Sequence, residues 1–460
     1  MTRIVRIKTD LKSAKISQIS VIRVPKQKQI KSQINLSLQS FKKNQMKNKL
    51  VLTALTAFTF CAGSQHVLAQ QNQNQTAETI QINTITTAVP FLAITPDARA
   101  GAMGDVGVAS SPDAASIHWN PGKLAFVEND MGFAVSYTPW LRKLVPDINL
   151  AYLSGYGRFG KKKLQTIGGS LRYFSLGDIT FTDNVGNVIG NFRPNEFALD
   201  LAYSRKLSDF ISMGIALRYV NSNLTGGISV EGAATKAANA VAGDVGLYIT
   251  KPNIKIGDMK SDFAFGLVIS NIGNKVSYTN TSEKDFIPIN LRLGPSYKIN
   301  FDEFNSLAVM VDINKLLVPT PPTLARDSSG NPIPDGNGYY QIDKGKNPNV
   351  SVPAGIIQSF GDAPGGAAEE FRELTYSIGM EYWYNKMFAV RAGYFNEHAS
   401  KGNRKYFTLG AGIRYNVFGL DFAYLVPTQQ RHPLENTLRF TLTFDFANLK
   451  AKKDKEGGAE

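Results

Sequence analysis

The fold is decided by a stretch near the end of the chain, residues 436–446, which read Asn-Thr-Leu-Arg-Phe-Thr-Leu-Thr-Phe-Asp-Phe. Every second residue from Leu438 to Phe446 is large and apolar, and the residues between them are Arg, Thr or Asp. Because successive side chains of a β-strand point to opposite faces, this pattern predicts a strand that separates an apolar medium from a polar one. A soluble sandwich and a membrane barrel both use strands of this kind.

Fourteen stretches with such alternation follow one another from residue 131, and their spacing distinguishes between the two folds. We predict strands at 131–138, 147–159, 163–177, 195–206, 210–221, 242–250, 261–271, 288–301, 304–316, 371–384, 386–396, 404–416, 419–427 and 435–446. The gaps after even-numbered strands are mostly a few residues, whereas those after odd-numbered strands are mostly longer and reach 54 residues at 317–370. An even strand count with alternating short and long connections is typical of outer-membrane barrels, whose short turns lie in the periplasm.

The ionisable residues of these strands share the face opposite the bulky apolar residues. A Lys or Arg that faces lipid at mid-bilayer costs ~2–4 kcal/mol, so this phasing favours an apolar exterior. Both signs of charge occur, which predicts ion pairs in the lumen. We therefore predict an all-β membrane protein, a 14-stranded antiparallel transmembrane β-barrel over 131–446. The residues expected to face its lumen are Asp200, Arg218, Arg292, Glu381, Arg391, Arg414, Asp421 and Arg439.

The net charge of +14 is concentrated in the N-terminal part of the chain. Residues 1–69 hold thirteen of the 51 Lys and Arg residues but one of the 37 Asp and Glu residues, so the rest of the chain is nearly neutral. A nucleic-acid-binding protein carries its positive charge in the folded part. We therefore expect no nucleic-acid partner.

Residues 46–69 have the pattern of a secretory signal peptide. Met46 and two lysines precede an apolar core from Leu50 to Ala62, and Val67 and Ala69 occupy the −3 and −1 positions of a cleavage site. We predict export with cleavage after Ala69. Residues 1–45 are expected to be an upstream extension or a mis-start, and 70–89 a flexible polar lead-in. The charged tail 447–460 is expected in the periplasm.

The chemistry of an enzyme or a metal centre is not visible in the sequence. The one cysteine, Cys61, lies in the predicted signal, and His118, His398 and His432 are widely separated. There is no His-x-x-x-His spacing and no Gly-x-Ser-x-Gly elbow. A lipopolysaccharide-modifying enzyme would need a nucleophile, and no constellation supplies one. We expect a protein that is not an enzyme and has no cofactor.

Residues 90–130 are rich in small residues and short helical pieces, which favours a compact segment packed inside something larger. Within it Trp119, Asn120, Pro121 and Gly122, followed by Lys-Leu-Ala, resemble the Trp-Asn-Pro-Ala-Gly-Leu-Ala hatch motif of FadL-type outer-membrane barrels. Gly122 and Lys123 replace Ala and Gly of that motif. The resemblance implies that 90–130 form a hatch in the barrel lumen.

A closer resemblance covers nearly all of the chain after the predicted signal. Residues 91–109, the Tyr-Thr-Pro-Trp-Leu run at 137–141 and the Pro- and Gly-containing loop 317–370 are similar to the PorV (LptO) family, the barrel component of the Bacteroidota type IX secretion system. The resemblance implies a carrier that binds the C-terminal signal domain of cargo leaving the translocon barrel. It then passes the cargo to a sortase-like attachment protein, which joins it to lipopolysaccharide. These proteins and the outer-membrane lipid are the implied partners.

Apolar residues in the predicted loops are the candidates for contact with a partner, because exposed apolar groups mark interaction sites. For Trp140, anchoring at the membrane interface is the alternative. For the whole chain the alternative is a FadL-type channel for hydrophobic small molecules. An apolar tunnel through the hatch would favour the channel, and apolar loops above a closed lumen would favour the carrier. The candidate residues are Trp140, Leu141, Leu144, Val145, Leu316, Leu317, Val318 and Pro319.

Overall fold

The computed structural model describes residues 82–447, apart from 144, 146, 183–184, 228–233, 258, 281–282, 337 and 431. The predicted signal peptide with its cleavage site after Ala69, the upstream residues 1–45, most of the lead-in and the tail beyond 447 lie outside the described residues. Among the helices that are described, none is both long and apolar enough to cross a membrane.

Fourteen strands of the described residues close into one antiparallel barrel. Each strand pairs with its neighbours in sequence, and the first pairs with the last, where Phe133 lies opposite Phe444. Closure leaves no strand edge unpaired, as a sheet in a bilayer requires. The predicted 14-stranded barrel is confirmed. In chain order β1–β14 are Met131–Pro139, Ile148–Phe159, Gln165–Leu176, Asn195–Lys206, Ile211–Asn223, Ala238–Ile256, Met259–Gly273, Asn290–Asn300, Asn305–Leu316, Thr375–Tyr384, Phe388–Asn396, Lys405–Tyr415, Phe418–Pro427 and Leu438–Phe446.

Two of the long connections carry structure that the alternation of apolar residues did not predict. The connection β3–β4 contains a strand pair, Ile179–Thr182 with Val188–Phe192. The connection β9–β10 contains a second pair, Thr323–Leu324 with Ile342–Lys344, and the helices Val352–Gln358 and Ala367–Arg372. β10 begins four residues later than predicted because the second helix occupies the residues before it.

The outer face of the barrel is apolar and exposed, and its inner face is buried. On β4, Leu199 and Leu201 are 55% and 58% exposed, whereas Asp200 between them is 3% exposed. The same alternation runs along β1 and β5. β1 begins opposite the end of β14, so both ends of the barrel sequence lie at the rim that carries the short turns. By the usual orientation of such barrels that rim is periplasmic and the long loops are external.

The hatch consists of short helical turns that are buried inside the barrel. Its elements are Pro90–Ala93, Ala98–Gly101, Ser116–Trp119 and Pro121–Phe126. Asp97 begins the second of these, where its carboxylate accepts a hydrogen bond from the Ala100 amide at 2.8 Å. Met103, Ile117 and Leu124 are fully buried.

Glycines on the inner face of the wall allow the hatch backbone to lie against the strands. A Cβ atom built on Gly393 would overlap the backbone of Met103 and Gly104, and one built on Gly266 would overlap the Val108 carbonyl. A glycine within a strand is typical of such a close backbone approach. The wall glycines at which a Cβ would overlap the hatch backbone are Gly214, Gly266, Gly379 and Gly393, and at Gly246 and Gly410 it would overlap hatch side chains.

Gly393→Ala is expected to destabilise the protein because the added methyl group collides with backbone that cannot rotate away. Overpacking of this kind costs about 1–3 kcal/mol. The measurement is the temperature at which the detergent-solubilised barrel loses its folded mobility on a gel. Gly157→Ala is the matched control, since a Cβ there meets nothing within 4 Å. Equal melting of the two variants would contradict the packing role of the wall glycines.

Candidate functional site

The predicted hatch motif holds the hatch to itself and to the wall. The Trp119 indole donates from Nε1 to the Asp97 carboxylate at 2.7 Å. The Asn120 amide donates to the Leu247 carbonyl of β6 at 2.9 Å and accepts from the Gly122 amide at 2.9 Å. All four residues of the motif, Trp119, Asn120, Pro121 and Gly122, are buried. Their contacts are those of structural residues.

The end of the motif is fixed by polar side chains of two strands. The Gly122 carbonyl accepts hydrogen bonds from Ser204 of β4 at 3.0 Å and from Ser212 of β5 at 2.6 Å. Lys123, which replaces a glycine of the family motif, donates from Nζ to the Gly107 carbonyl at 2.8 Å and to Ser110 Oγ at 2.9 Å. Its ammonium group therefore ties two turns of the hatch together.

One charge network joins the hatch to four strands of the wall. Glu381 accepts from Arg99 of the hatch at 2.8 Å and from Arg391 at 2.8 Å. Arg391 also donates to Asp421 at 2.8 Å, and Arg414 donates to the same carboxylate at 2.6 Å. Arg391 thus lies between Glu381 and Asp421 and is a counter-ion to both.

A second network lies across the barrel on β4–β7. Arg218 donates to Asp200 at 2.6 Å and to Asp244 at 3.1 Å, and it also contacts the Asn271 side chain. All three charged groups are at most 3% exposed. Because a buried unpaired charge is strongly destabilising, the two carboxylates and the arginine require one another.

The last two predicted lumenal residues contact the hatch. Arg439 pairs with Asp105 at 3.2 Å, and the guanidinium of Arg292 lies 4.5 Å from the Trp119 ring centroid. Arg292 also donates to Asn314 at 2.5 Å. The structure therefore distributes the eight predicted residues over several contacts around the hatch, four of them in one network, and does not gather all eight into one site.

A cavity of about 330 Å³ lies between the hatch and the external loops. Its lining carries charged and polar side chains, among them His118, Arg218, Arg292, Glu397 and Arg404. An apolar ligand in this cavity would remove these groups from water without replacing their hydrogen bonds, which is costly. The charged groups stand beside apolar ones such as Leu92 and Leu316, so the cavity is of mixed polarity and not the continuous apolar tunnel that a channel for hydrophobic molecules requires.

A cluster of charges that the sequence did not reveal sits at the external rim, and we refer to it as the rim clamp. Lys315 at the end of β9 binds Glu370 at 2.9 Å and Glu373 at 2.7 Å. Lys401 in the β11–β12 connection binds Glu369 at 2.6 Å and Glu373 at 3.0 Å. The clamp fastens the helix Ala367–Arg372 and the residue after it over the edge of the barrel.

Polar groups beside the clamp hold two further segments, the chain before the hatch at Asn83 and the part of the β9–β10 connection that contains Thr320 and Asp362. Asn83 donates to Glu369 at 2.9 Å, and its backbone amide donates to the Ser400 carbonyl at 3.0 Å. Burial opposes ionisation of Glu369, but hydrogen bonds from Lys401, Gly365 and Asn83 outweigh it and hold the pKa of this carboxyl below its usual value. Burial raises the pKa of Asp362, which accepts from the Thr320 amide at 3.1 Å.

The loop residues predicted to contact a partner are mostly covered. Leu317 and Val318 are 1% and 3% exposed, and Pro319 is also buried, so the prediction that these three are exposed is wrong. These residues are covered because the start of the β9–β10 connection folds back over the hatch. The Leu317 amide donates to the Ile289 carbonyl at 2.8 Å. The side chains of Leu317 and Val318 pack in one cluster with Phe91 of the hatch. Leu316 is half-buried and lines the cavity above the hatch.

Of the predicted residues in the β1–β2 connection, two pack against the barrel interior and one is exposed. Trp140 and Leu141 are half-buried and pack against a cluster that contains Phe395 and Leu434. Val145 is 38% exposed, and Leu144 lies outside the described residues.

Exposed apolar groups occur instead on a projecting part of the β9–β10 connection, residues 323–344, which we refer to as the loop arm. Its two strands are extended by bridges between Arg326 and Pro332 and between Pro334 and Tyr340. Tyr339 and Tyr340 are 49% and 53% exposed, and Ile342 is 39% exposed. The backbone of the arm is bonded within itself, as the Ala325 amide donates to the Gln341 carbonyl and the Gln341 amide to the Ile333 carbonyl. Its exposed aromatic side chains are therefore the groups that it offers to a partner.

Arg391→Leu is expected to lower the free energy of unfolding by ~3–5 kcal/mol, because it leaves Glu381 and Asp421 with fewer counter-charges in a buried network. The measurement is denaturant unfolding in detergent followed by far-ultraviolet circular dichroism. Arg193→Leu is the control; it removes an exposed ion pair with Asp178, and no measurable change is expected. Similar losses in both variants would show that burial of the network has no special importance.

Lys401→Met is expected to loosen the rim clamp, because Glu369 and Glu373 each lose a charge-assisted hydrogen bond. Such a bond contributes ~1.5–3 kcal/mol, so cleavage by chymotrypsin after the exposed Phe371 should rise about tenfold or more. Lys346→Met, a change of an exposed lysine in the same connection, is the control. A clamp that did not hold the loop would give both variants the cleavage rate of the unmodified chain.

The model of the family described as "Type IX secretion system protein PorV" matches residues 75–323. No curated protein matches the chain. Among solved structures, the Ralstonia pickettii toluene transporter TbuX is 11% identical, with 77% of this chain and 99% of that chain covered and a TM-score of 0.42. The Pseudomonas putida toluene transporter TodX is 12% identical, with 79% and 98% covered and a TM-score of 0.41. A Pseudomonas aeruginosa FadL homologue is 11% identical, with 79% of this chain and 100% of that chain covered and a TM-score of 0.39.

Proposed function

The chain belongs to the PorV family of type IX secretion system proteins, and on that premise we propose that this outer-membrane barrel carries secreted cargo. In this proposal it binds the C-terminal signal domain of a protein leaving the translocon barrel. It then delivers the cargo to the sortase-like attachment protein at the cell surface. The barrel itself makes and breaks no covalent bond.

The observation that carries the proposal is the loop arm on a fastened base. The arm exposes Tyr339, Tyr340 and Ile342, and the rim clamp holds the end of the same connection to the barrel. Tyrosines are frequent at the energetic centres of interfaces, so the arm supplies anchors for a protein partner. The rigid base also lowers the entropy that the loop loses on binding.

The lumen supports a carrier better than a channel for hydrophobic small molecules. The hatch occupies the interior through contacts with the wall glycines, and its Arg99 is part of a buried charge network. The cavity above the hatch is lined with charged groups. A hydrophobic molecule would therefore meet polar surface on the way to the hatch and a packed segment behind it.

The triple variant Tyr339→Ser, Tyr340→Ser, Ile342→Ser is expected to bind the cargo signal domain at least about tenfold more weakly, since each exposed anchor that is lost costs ~1 kcal/mol or more. The measurement is binding of a purified, fluorescently labelled C-terminal signal domain to the detergent-solubilised barrel. Val185→Ser with Val188→Ser is the control, because it removes exposed apolar groups from the β3–β4 connection instead.

The native complex distinguishes the carrier from the channel. Protein purified from its own membrane should contain secreted cargo with an intact C-terminal signal, identified by mass spectrometry. Free fatty acid as the bound component, with no cargo, would contradict the carrier. Equal affinity of the triple variant and its control for the signal domain would show that the loop arm is not the binding site.

A further inference from the structure

A cavity of about 320 Å³ lies on the outside of the barrel, beneath the end of the β9–β10 connection. We refer to it as the outer cavity. Its floor is the outward face of β8 and β9, and its roof is the loop that the rim clamp fastens. The apolar side chains that line it are Leu291, Leu293 and Ile313 from the strands and Phe360, Phe371 and Leu374 from the loop. The volume lies at the lower end of the range of small-molecule pockets, about 300–1,000 Å³.

The outer cavity continues the membrane-facing surface of the barrel. Leu291 and Leu293 alternate with Arg292, which contacts the hatch inside, so the two leucines point outward. On β10, next to β9, Tyr376 and Ile378 are 42% and 46% exposed on the same outer face. The cavity therefore opens beside surface that acyl chains contact, and it lies at the rim of the external loops.

The roof of the cavity combines a covered ion pair with exposed aromatic groups. Lys315 points outward from β9, but its side chain is 7% exposed because Glu370 and Glu373 cover and neutralise it. On the same roof Phe371 is 70% exposed and Phe360 is 56% exposed. Neutralised charge beside exposed aromatic groups is a composition that suits the border between lipid headgroups and acyl chains.

We propose that the outer cavity binds one acyl chain of an outer-leaflet lipid. The cavity is too apolar for a headgroup. A protein partner would have to reach below the rim, into the layer that lipid already occupies. The proposal does not depend on cargo carriage, since it uses only the outer wall and the clamped helix. A bound chain would fill the space between loop and wall and so add to the support of the connection that bears the loop arm.

The test uses the full chain after export, reconstituted in phospholipid vesicles that contain a phosphatidylcholine with a diazirine at the end of one acyl chain. After irradiation, mass spectrometry locates the adducts. Crosslinks to peptides that contain Ile313, Phe360 or Phe371 should exceed those to the outward residues of β4 and β5 about fivefold, the preference expected when one or two methylene groups gain burial. Labelling in proportion to exposure along the whole outer surface would overturn the proposal.

Two variants fill or open the outer cavity without altering the barrel wall. Ala367→Trp places an indole in the cavity from an exposed helix position, and Phe371→Ser removes part of its apolar lining. Each should lower the crosslinking about fivefold. Ile357→Trp, on the exposed face of the other helix, is the control and should leave it unchanged.

A second probe identifies the source of the chain. A free fatty acid with the same diazirine, added to detergent-solubilised protein, should label the cavity less than the lipid probe does in vesicles. Stronger labelling by the free acid, or no response to Ala367→Trp, would show that the cavity is not a lipid site.

Discussion

Buried charge inside the barrel is the constraint on which the rest of the structure depends. Arg391, Glu381 and Asp421 are almost inaccessible to water, so each group requires a partner at hydrogen-bond distance. One of those partners, Arg99, belongs to the hatch. The hatch and the wall are therefore a single electrostatic unit, and removal of the hatch would take from Glu381 one of the two arginines that neutralise it. This coupling favours a lumen that stays closed.

The strands and the barrel could be predicted from the sequence because they depend on local alternation. Each strand has lipid on one side and the lumen on the other, so apolar and polar residues alternate along it. Fourteen strands with this alternation restrict the fold to a large closed sheet. Charges such as Asp200 and Arg218 were predictable as lumenal for the same reason. Their ion-pair partners could not be predicted without the register between strands, which places Asp200 opposite Arg218.

The fold of the long connections could not be predicted in this way. Leu317 and Val318 have the composition of a contact surface, but their burial depends on Phe91, more than two hundred residues earlier in the chain. The rim clamp likewise draws its charges from separate segments, β9, the loop helix and the β11–β12 connection. One signal was available: glycines at inward positions of otherwise regular strands indicate that another backbone passes close by.

The rim clamp explains how one connection can be both fixed and available for binding. Glu373 binds Lys315, which lines the outer cavity, and Lys401, which lines the cavity above the hatch, so the clamp straddles the top of the wall. A partner that displaced the base of the connection would separate several buried ion pairs at once, which is strongly unfavourable. A partner that binds the loop arm disturbs none of them. The division of the connection into a clamped base and an exposed arm therefore directs recognition outward, away from the hatch and the lumen.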